Sequence, residues 1–132
     1  MSASAHLLFK STAFPPQLGE DEETNPGVFG RALAAWLADQ LPRHGHTVKG
    51  IIAEDFGRLI ELRVPRGRLY VAVSSTDHTA TEWRLFALAE QGLLSRLVGS
   101  SVSEQAISKL LGDLRSTLET APGVTELREE AA

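Results

Sequence analysis

The chain has 132 residues, of which 42% are apolar and 23% charged, with a net charge of −4. This suits a single domain, 1–132, able to bury roughly two-thirds of the surface its unfolded chain exposes, so disorder is not the expected state. No cysteine is present, which excludes disulfides, thiolate zinc sites, iron–sulfur clusters and thiol nucleophiles and fits a cytoplasmic setting.

The first residues lack the basic and apolar segments of a signal peptide, and no apolar run reaches the roughly 18 residues of a membrane helix. Charge is unevenly spread. Residues 41–70 carry six basic and three acidic groups, whereas residues 71–132 carry five basic and nine acidic. The acidic balance overall speaks against non-specific nucleic-acid binding, which depends on neutralising phosphates.

Taken in order, Leu7 to Phe14 reads as a first strand. Its alternation sets Leu7 and Phe9 on one face and Leu8 and Phe14 on the other, and Pro15-Pro16 ends it. Glu20-Asp21-Glu22-Glu23 is a block of like charge and predicts a solvated loop. Asn25-Pro26 reads as the cap and first residue of a helix. Phe29, Leu33, Trp36, Leu37 and Leu41 then form an apolar stripe at helical spacing, and Pro42 and Gly45 close it. Gly30 is weak inside such a helix unless the backbone must approach something closely.

Thr47 to Phe56, Leu59 to Val64, Leu69 to Ser74 and Trp83 to Leu88 read as four successive strands. The short turns between them favour an antiparallel meander. Leu93, Leu94, Leu97 and Val98 suggest one or two helical turns. Ser101-Val102-Ser103-Glu104 fits a capping box with Ser101 as cap. Ile107, Leu110, Leu111, Leu114 and Leu118 mark a second long helix, stopped by Pro122-Gly123. Val124 to Leu127 is a short last strand, and Glu129-Glu130-Ala131-Ala132 a frayed end. The expected order is β-α-β-β-β-β-α-β: an α+β fold with a mainly antiparallel sheet of five or six strands. Both long helices carry one apolar stripe, so both are expected on one sheet face, leaving the other open for contact.

Few residue groups suggest chemistry. Asp55-Phe56-Gly57 shares three letters with the kinase magnesium motif, but the chain is too short for that fold and has no phosphate or catalytic loop. Adjacent Glu54 and Asp55 point to opposite faces of a strand, and Asp55 with Gly57 reads first as a turn. An enzyme or small-molecule binder would need them to meet His44, His46 or His78 at the strand ends. These histidines have no diagnostic metal spacing, the serines no nucleophile elbow, and Gly27-Val28-Phe29-Gly30 is no dinucleotide fingerprint. No cofactor is implied.

Arg58, Arg63, Arg66, Arg68 and Arg84 concentrate on the meander. Arg63 and Arg84 are expected on the outward face, with Glu61 and Glu82 as cross-strand partners. Arginine favours interfaces and planar anions. With Glu54 and Asp55, these arginines form the candidate binding set.

Asn25-Pro26-Gly27-Val28-Phe29-Gly30-Arg31-Ala32-Leu33-Ala34-Ala35-Trp36-Leu37, followed by Glu54-Asp55-Phe56-Gly57, resembles a family of small bacterial single-domain proteins of unknown function. The resemblance covers roughly residues 25–60 and implies no activity. That pattern has an aromatic where Arg58 stands and another near Glu129, so two rim positions are charged here. The reading that follows is a small, soluble, cytoplasmic, non-catalytic module. It recognises a protein partner through an open sheet face or an edge strand. Homodimerisation is also plausible, since open sheets expose pairable edges.

Overall fold

The computed structural model describes residues 2–76, 78–90 and 102–132. Alternating apolar residues and short turns build an antiparallel sheet of strands β1 (Ser2–Ala3), β2 (His6–Lys10), β3 (Val48–Glu54), β4 (Gly57–Leu62), β5 (Arg68–Ser75), β6 (Glu82–Glu90) and β7 (Thr125–Glu130). The spatial order is β3-β4-β5-β6-β2-β7, with β1 also on β6. β1 and β2 run in line along β6. Between them the Ser4 N–H donates to the Ala87 carbonyl, and the Ser4 hydroxyl accepts from the Ala87 N–H. A side chain thus replaces a ladder carbonyl where the strand is interrupted.

Helices α1 (Arg31–Gln40) and α2 (Glu104–Glu119) lie on the same sheet face. Leu33, Ala34, Leu37 and Leu41 from the first segment, and Ile107, Leu110, Leu114 and Leu118 from the second, join one buried cluster. Leu7, Phe9, Ile60, Leu62, Leu69, Val71, Val73, Trp83, Leu85, Ala87 and Ala89 complete it from the sheet. Small Ala87 and Ala89 sit on β6, the strand α2 packs against, which lets a helix come close. Trp83 is buried, its indole N–H satisfied by the Ser11 carbonyl at 3.1 Å. The α+β class, the antiparallel sheet and the shared helix face are as the periodicity implies.

Local details differ. Asn25-Pro26-Gly27-Val28 is a β-turn, not a helix start. The Val28 N–H donates to the Asn25 carbonyl, and Gly27 has φ 80°, the pattern of a type II turn with Pro second and Gly third. Helix α1 begins only after Gly30, at φ 151°. A Cβ on Gly30 would lie 3.4 Å from Val73 and 4.0 Å from Trp83, ordinary contact distances, so the positive φ rather than close approach is the reason for this glycine.

Phe14 leaves the strand and turns to the helix side, where it packs on Trp36 with centroids 5.6 Å apart. It therefore does not share a face with Leu8. The cap of α2 is Ser103, whose hydroxyl accepts from the Ala106 N–H at 3.1 Å; Ser101 lies outside the described residues, as do Leu93, Leu94, Leu97 and Val98. Glu129 and Glu130 are not frayed: they pair with Leu7 and His6 as part of β7.

The β3–β4 hairpin turns through Asp55-Phe56, with Glu54 facing Gly57. Gly57 has φ 152°, and a Cβ there would stand 2.2 Å from the Val73 carbonyl oxygen. Steric overlap with backbone cannot be relieved by a rotamer change. Gly57→Ala is expected to lower stability by at least about 2 kcal/mol, read as a shift in the urea midpoint at constant slope; an unchanged midpoint contradicts this packing.

Candidate interaction surface

Two arrangements of polar residues organise the molecule, and only one faces outward. The buried one involves Glu20 and Arg58. Glu20 sits in a short 3-10 turn, Glu20–Glu22, and is 1% exposed. Its carboxylate accepts N–H bonds from Gln17 at 2.7 Å, Gly30 at 2.8 Å and Arg31 at 3.1 Å. The last two are orphan donors at the start of α1, so Glu20 caps that helix from ten residues upstream and places negative charge at its positive end.

Arg58, 3% exposed, points to the helix face with its cross-strand partner Val73. Its Nη1 lies 3.6 Å from Glu20 Oε1, and its Nη2 donates to the Glu20 carbonyl at 3.2 Å and to Glu23 at 3.1 Å. Glu23 also pairs with Arg31. Nη1 is buried without a hydrogen bond, so its attraction to Glu20 is Coulombic. Two expectations are corrected here: the acidic block is not simply a solvated loop, and Arg58 is buried in an ion pair rather than exposed on a rim.

The outward arrangement is the sheet face opposite the helices. Ile52, Leu59, Ala72 and Phe86 are successive cross-strand partners in one row. Glu61, Tyr70 and Leu88 form the next, and Ser74, Arg84, Leu8 and Arg128 a third on the other side. Leu59, Tyr70 and Ala72 form a second apolar cluster with half-buried Phe86 and Leu88 against it. Neither described helix contributes to this cluster.

Charged groups frame this patch. At one end His6 stacks on Phe86, centroids 4.3 Å apart and planes 15° apart, while its Nδ1 lies 2.6 Å from Arg84 Nη1. Burial and then the Arg84 charge hold the His6 pKa below its ordinary value, against an opposing pull from Glu130. The neutral ring therefore accepts from the guanidinium and fixes it beside Phe86. At the other end Lys49 pairs with Glu61 at 3.4 Å, and a cavity of about 400 Å³ is lined by Lys49, Glu61, Arg63 and Arg68 among others.

The structure therefore disperses the candidate set. Arg84 is on the open face as expected. Arg68 opens β5 two residues before Tyr70. Arg63 follows the end of β4, exposed, and lines the cavity with Lys49, Glu61 and Arg68; Arg66 is exposed in the turn. The partners of Glu61 and Glu82 are lysines, Lys49 and Lys10 at 3.4 Å each, not arginines.

Glu54 and Asp55 are exposed at the hairpin tip, and among the described residues neither carboxylate makes a hydrogen bond or ion pair. The histidines are engaged elsewhere. His46 Nε2 lies 2.7 Å and His44 Nδ1 3.7 Å from the Asp113 carboxylate, while His78 packs beside Gly27. Among the described residues no hydrogen bond or ion pair joins Glu54 or Asp55 to a histidine, and no group of three or more His, Asp or Glu side chains is placed to hold a metal. Also among the described residues, no helix is long and apolar enough to cross a membrane.

Comparison with family models, with curated proteins and with solved structures finds no match to the chain.

Sequence reasoning missed the role of Glu20 because its partners lie 10 and 38 positions away. The His6–Phe86 stack was missed because it joins strands 78 to 80 residues apart in the chain. Two predictions follow from these polar sites. Glu20→Gln keeps the shape but strands a buried guanidinium, and is expected to cost about 3–5 kcal/mol in chemical denaturation; a loss below about 1 kcal/mol contradicts the pair's structural role.

Burial pushes the Asp113 carboxyl up, but the Lys109 and His46 bonds and charges outweigh it and hold its pKa below the ordinary 3.8. A carboxyl whose folded pKa is depressed adds stability above the unfolded value and loses it as pH falls through the lower folded value. Stability is therefore expected to drop below about pH 4, and Asp113→Asn to flatten that acid limb. Urea midpoints measured from pH 2 to 6 check this; identical acid limbs in both proteins refute it.

Proposed function

We propose that this protein is a non-catalytic binding module that takes a protein partner on its open sheet face. The observation that supports this most is the apolar row Ile52–Leu59–Ala72–Phe86 with Tyr70 and Leu88 beside it, framed by Arg84, Arg68, Lys49 and Glu61. Apolar and aromatic side chains inside a charged rim are the composition of protein-recognition surfaces, and tyrosine and arginine are the types that dominate their binding energy. Phe86 is half-buried and held by His6, so the free protein has already ordered that side chain and a partner need not do so.

The second hypothesis, an enzyme built on Glu54, Asp55 and a histidine, has no hydrogen bond or ion pair between those carboxylates and a histidine to support it among the described residues. The arginines that a nucleic-acid surface would use are split between a buried pair, a turn and opposite ends of the sheet. A cytoplasmic setting goes with the binding reading, in keeping with a chain that has no cysteine. The likeness to small bacterial proteins of unknown function belongs to the same proposal and adds no activity to it.

The test replaces Phe86 by a photo-crosslinking phenylalanine and, as a control, replaces Leu18, which is fully exposed and far along the chain from the row. Position 86 is expected to give one discrete adduct in cells, absent at position 18 and abolished by Arg84→Glu. With that partner purified, Phe86→Ala is expected to weaken binding at least about tenfold. No adduct, or the same adducts from both positions, rejects the open face as the recognition surface.

A further inference from the structure

The two edges of the sheet are built differently. β7 carries Glu126, Arg128, Glu129 and Glu130 in six residues, which is how sheets protect an edge against further strands. β3 reads Val48-Lys49-Gly50-Ile51-Ile52-Ala53-Glu54. Among the described residues it pairs only with β4, so no described strand lies beside its outer N–H and C=O groups. Ile51 is 42% and Ile52 40% exposed. They point to opposite faces, Ile51 with Ile60 towards the helices and Ile52 with Leu59 towards the open face. A seven-residue edge with apolar residues on both faces is a template for strand addition.

Charge along this edge indicates what adds to it. Lys49 stands at the beginning of β3, with Arg63 just beyond the strand that flanks it; Glu54 and Asp55 stand at the end. The nearby Arg58 charge is already balanced by Glu20 and Glu23. Lys49 is paired with Glu61 at 3.4 Å, so exposed Arg63 carries the net positive charge at this end, and the edge runs from positive to negative. A second copy laid antiparallel presents the opposite sequence of charge, whereas a parallel copy sets like against like.

We propose that the chain forms a homodimer by antiparallel pairing of β3 with β3 of a second copy, about a two-fold axis perpendicular to the sheet. Such an axis keeps each residue on its own face and closes the assembly at two subunits. A register centred on Ile52 sets Ile52 against its mate, Ile51 opposite Ala53 of the second copy, and Lys49 alongside Glu54 and Asp55 of the second copy. Each facing apolar pair buries surface that is open in the single chain, and the sheet becomes continuous across the axis. The open faces then join, so that two apolar rows meet at Ile52 to make one surface of double width. The dimer stands independently of what that surface binds.

Sedimentation velocity over a range of concentrations, with circular dichroism to verify folding, tests this. The wild-type chain is expected to show a reversible monomer–dimer equilibrium. Ile52→Lys is expected to raise the dimer Kd at least tenfold, and so is Lys49→Glu, whereas Lys49→Glu with Glu54→Lys restores association. Because the chain has no native cysteine, Ile52→Cys alone is expected to give a disulfide-linked dimer on mild oxidation, well ahead of Leu18→Cys. Phe86→Glu, on the open face but away from the edge, leaves the dimer intact, which separates this proposal from the partner-binding reading. A wild-type chain that stays monomeric at about millimolar concentration overturns the proposal. So does a dimer insensitive to Ile52→Lys, and so does a charge swap that fails to restore association.

Discussion

The fold depends on one buried carboxylate. Glu20 ends the helix that its own loop precedes, balances an arginine that points into the helix side of the sheet, and anchors the segment between the first long strand and α1. Desolvating a carboxylate and a guanidinium costs several kcal/mol each, and their attraction offsets that only with good geometry and further bonds. Here the further bonds are three backbone N–H groups on one partner, and a carbonyl and Glu23 on the other. A pair of this kind contributes modest net stability, but it is intolerant of alternatives. Any other placement of the loop leaves Arg58 alone inside, so the pair selects one arrangement of loop, helix and sheet.

That selection shapes what remains outside. With Arg58 committed to the helix face, the open face keeps a compact apolar row with charges only at its ends. Gly30 and Gly57 serve the same layout. One lets α1 start against Val73 and Trp83, and the other lets the β3–β4 hairpin pass close to the β5 backbone. The helices then cover one side of the sheet, while β3 keeps a run of aliphatic residues that follows a register shift between Val48 and Gly50.

The broad architecture was legible in the sequence because periodicity is a local signal. Ile107, Leu110, Leu114 and Leu118 at helical spacing, and Ile60, Leu62, Leu69, Val71 and Val73 at alternating spacing, each announce which face is buried without knowledge of any distant partner. What was not legible depended on distance along the chain or on competing local signals. Asn25-Pro26 is a good helix opening, but with Gly27 next it is an equally good turn, and the positive φ of that glycine decides the outcome. The acidic block reads as solvated because three of its four members have no buried role that sequence spacing reveals. The fourth is buried only because α1 and β4 come to it. The candidate arginines were identifiable as a group but not separable: alternation along β4 places Arg58 with Ile60 and Leu62, on the covered side, and a charged residue there makes sense only once its acidic partner is located.

The arrangement of β2 has a consequence for the making of the protein. Its two neighbours in the sheet are β6 and β7, and its His6 contacts Arg84 across 78 positions of chain. During synthesis β2 therefore has no strand partner until β6, Glu82–Glu90, has been translated. The hairpins from β3 to β6 are local and can form as they leave the ribosome. Pairing β2 with β6 and β7 joins segments far apart in the chain, the kind of non-local contact that slows folding and prolongs exposure of the apolar Leu7, Leu8 and Phe9. One five-residue segment thus carries the long-range pairings of the sheet.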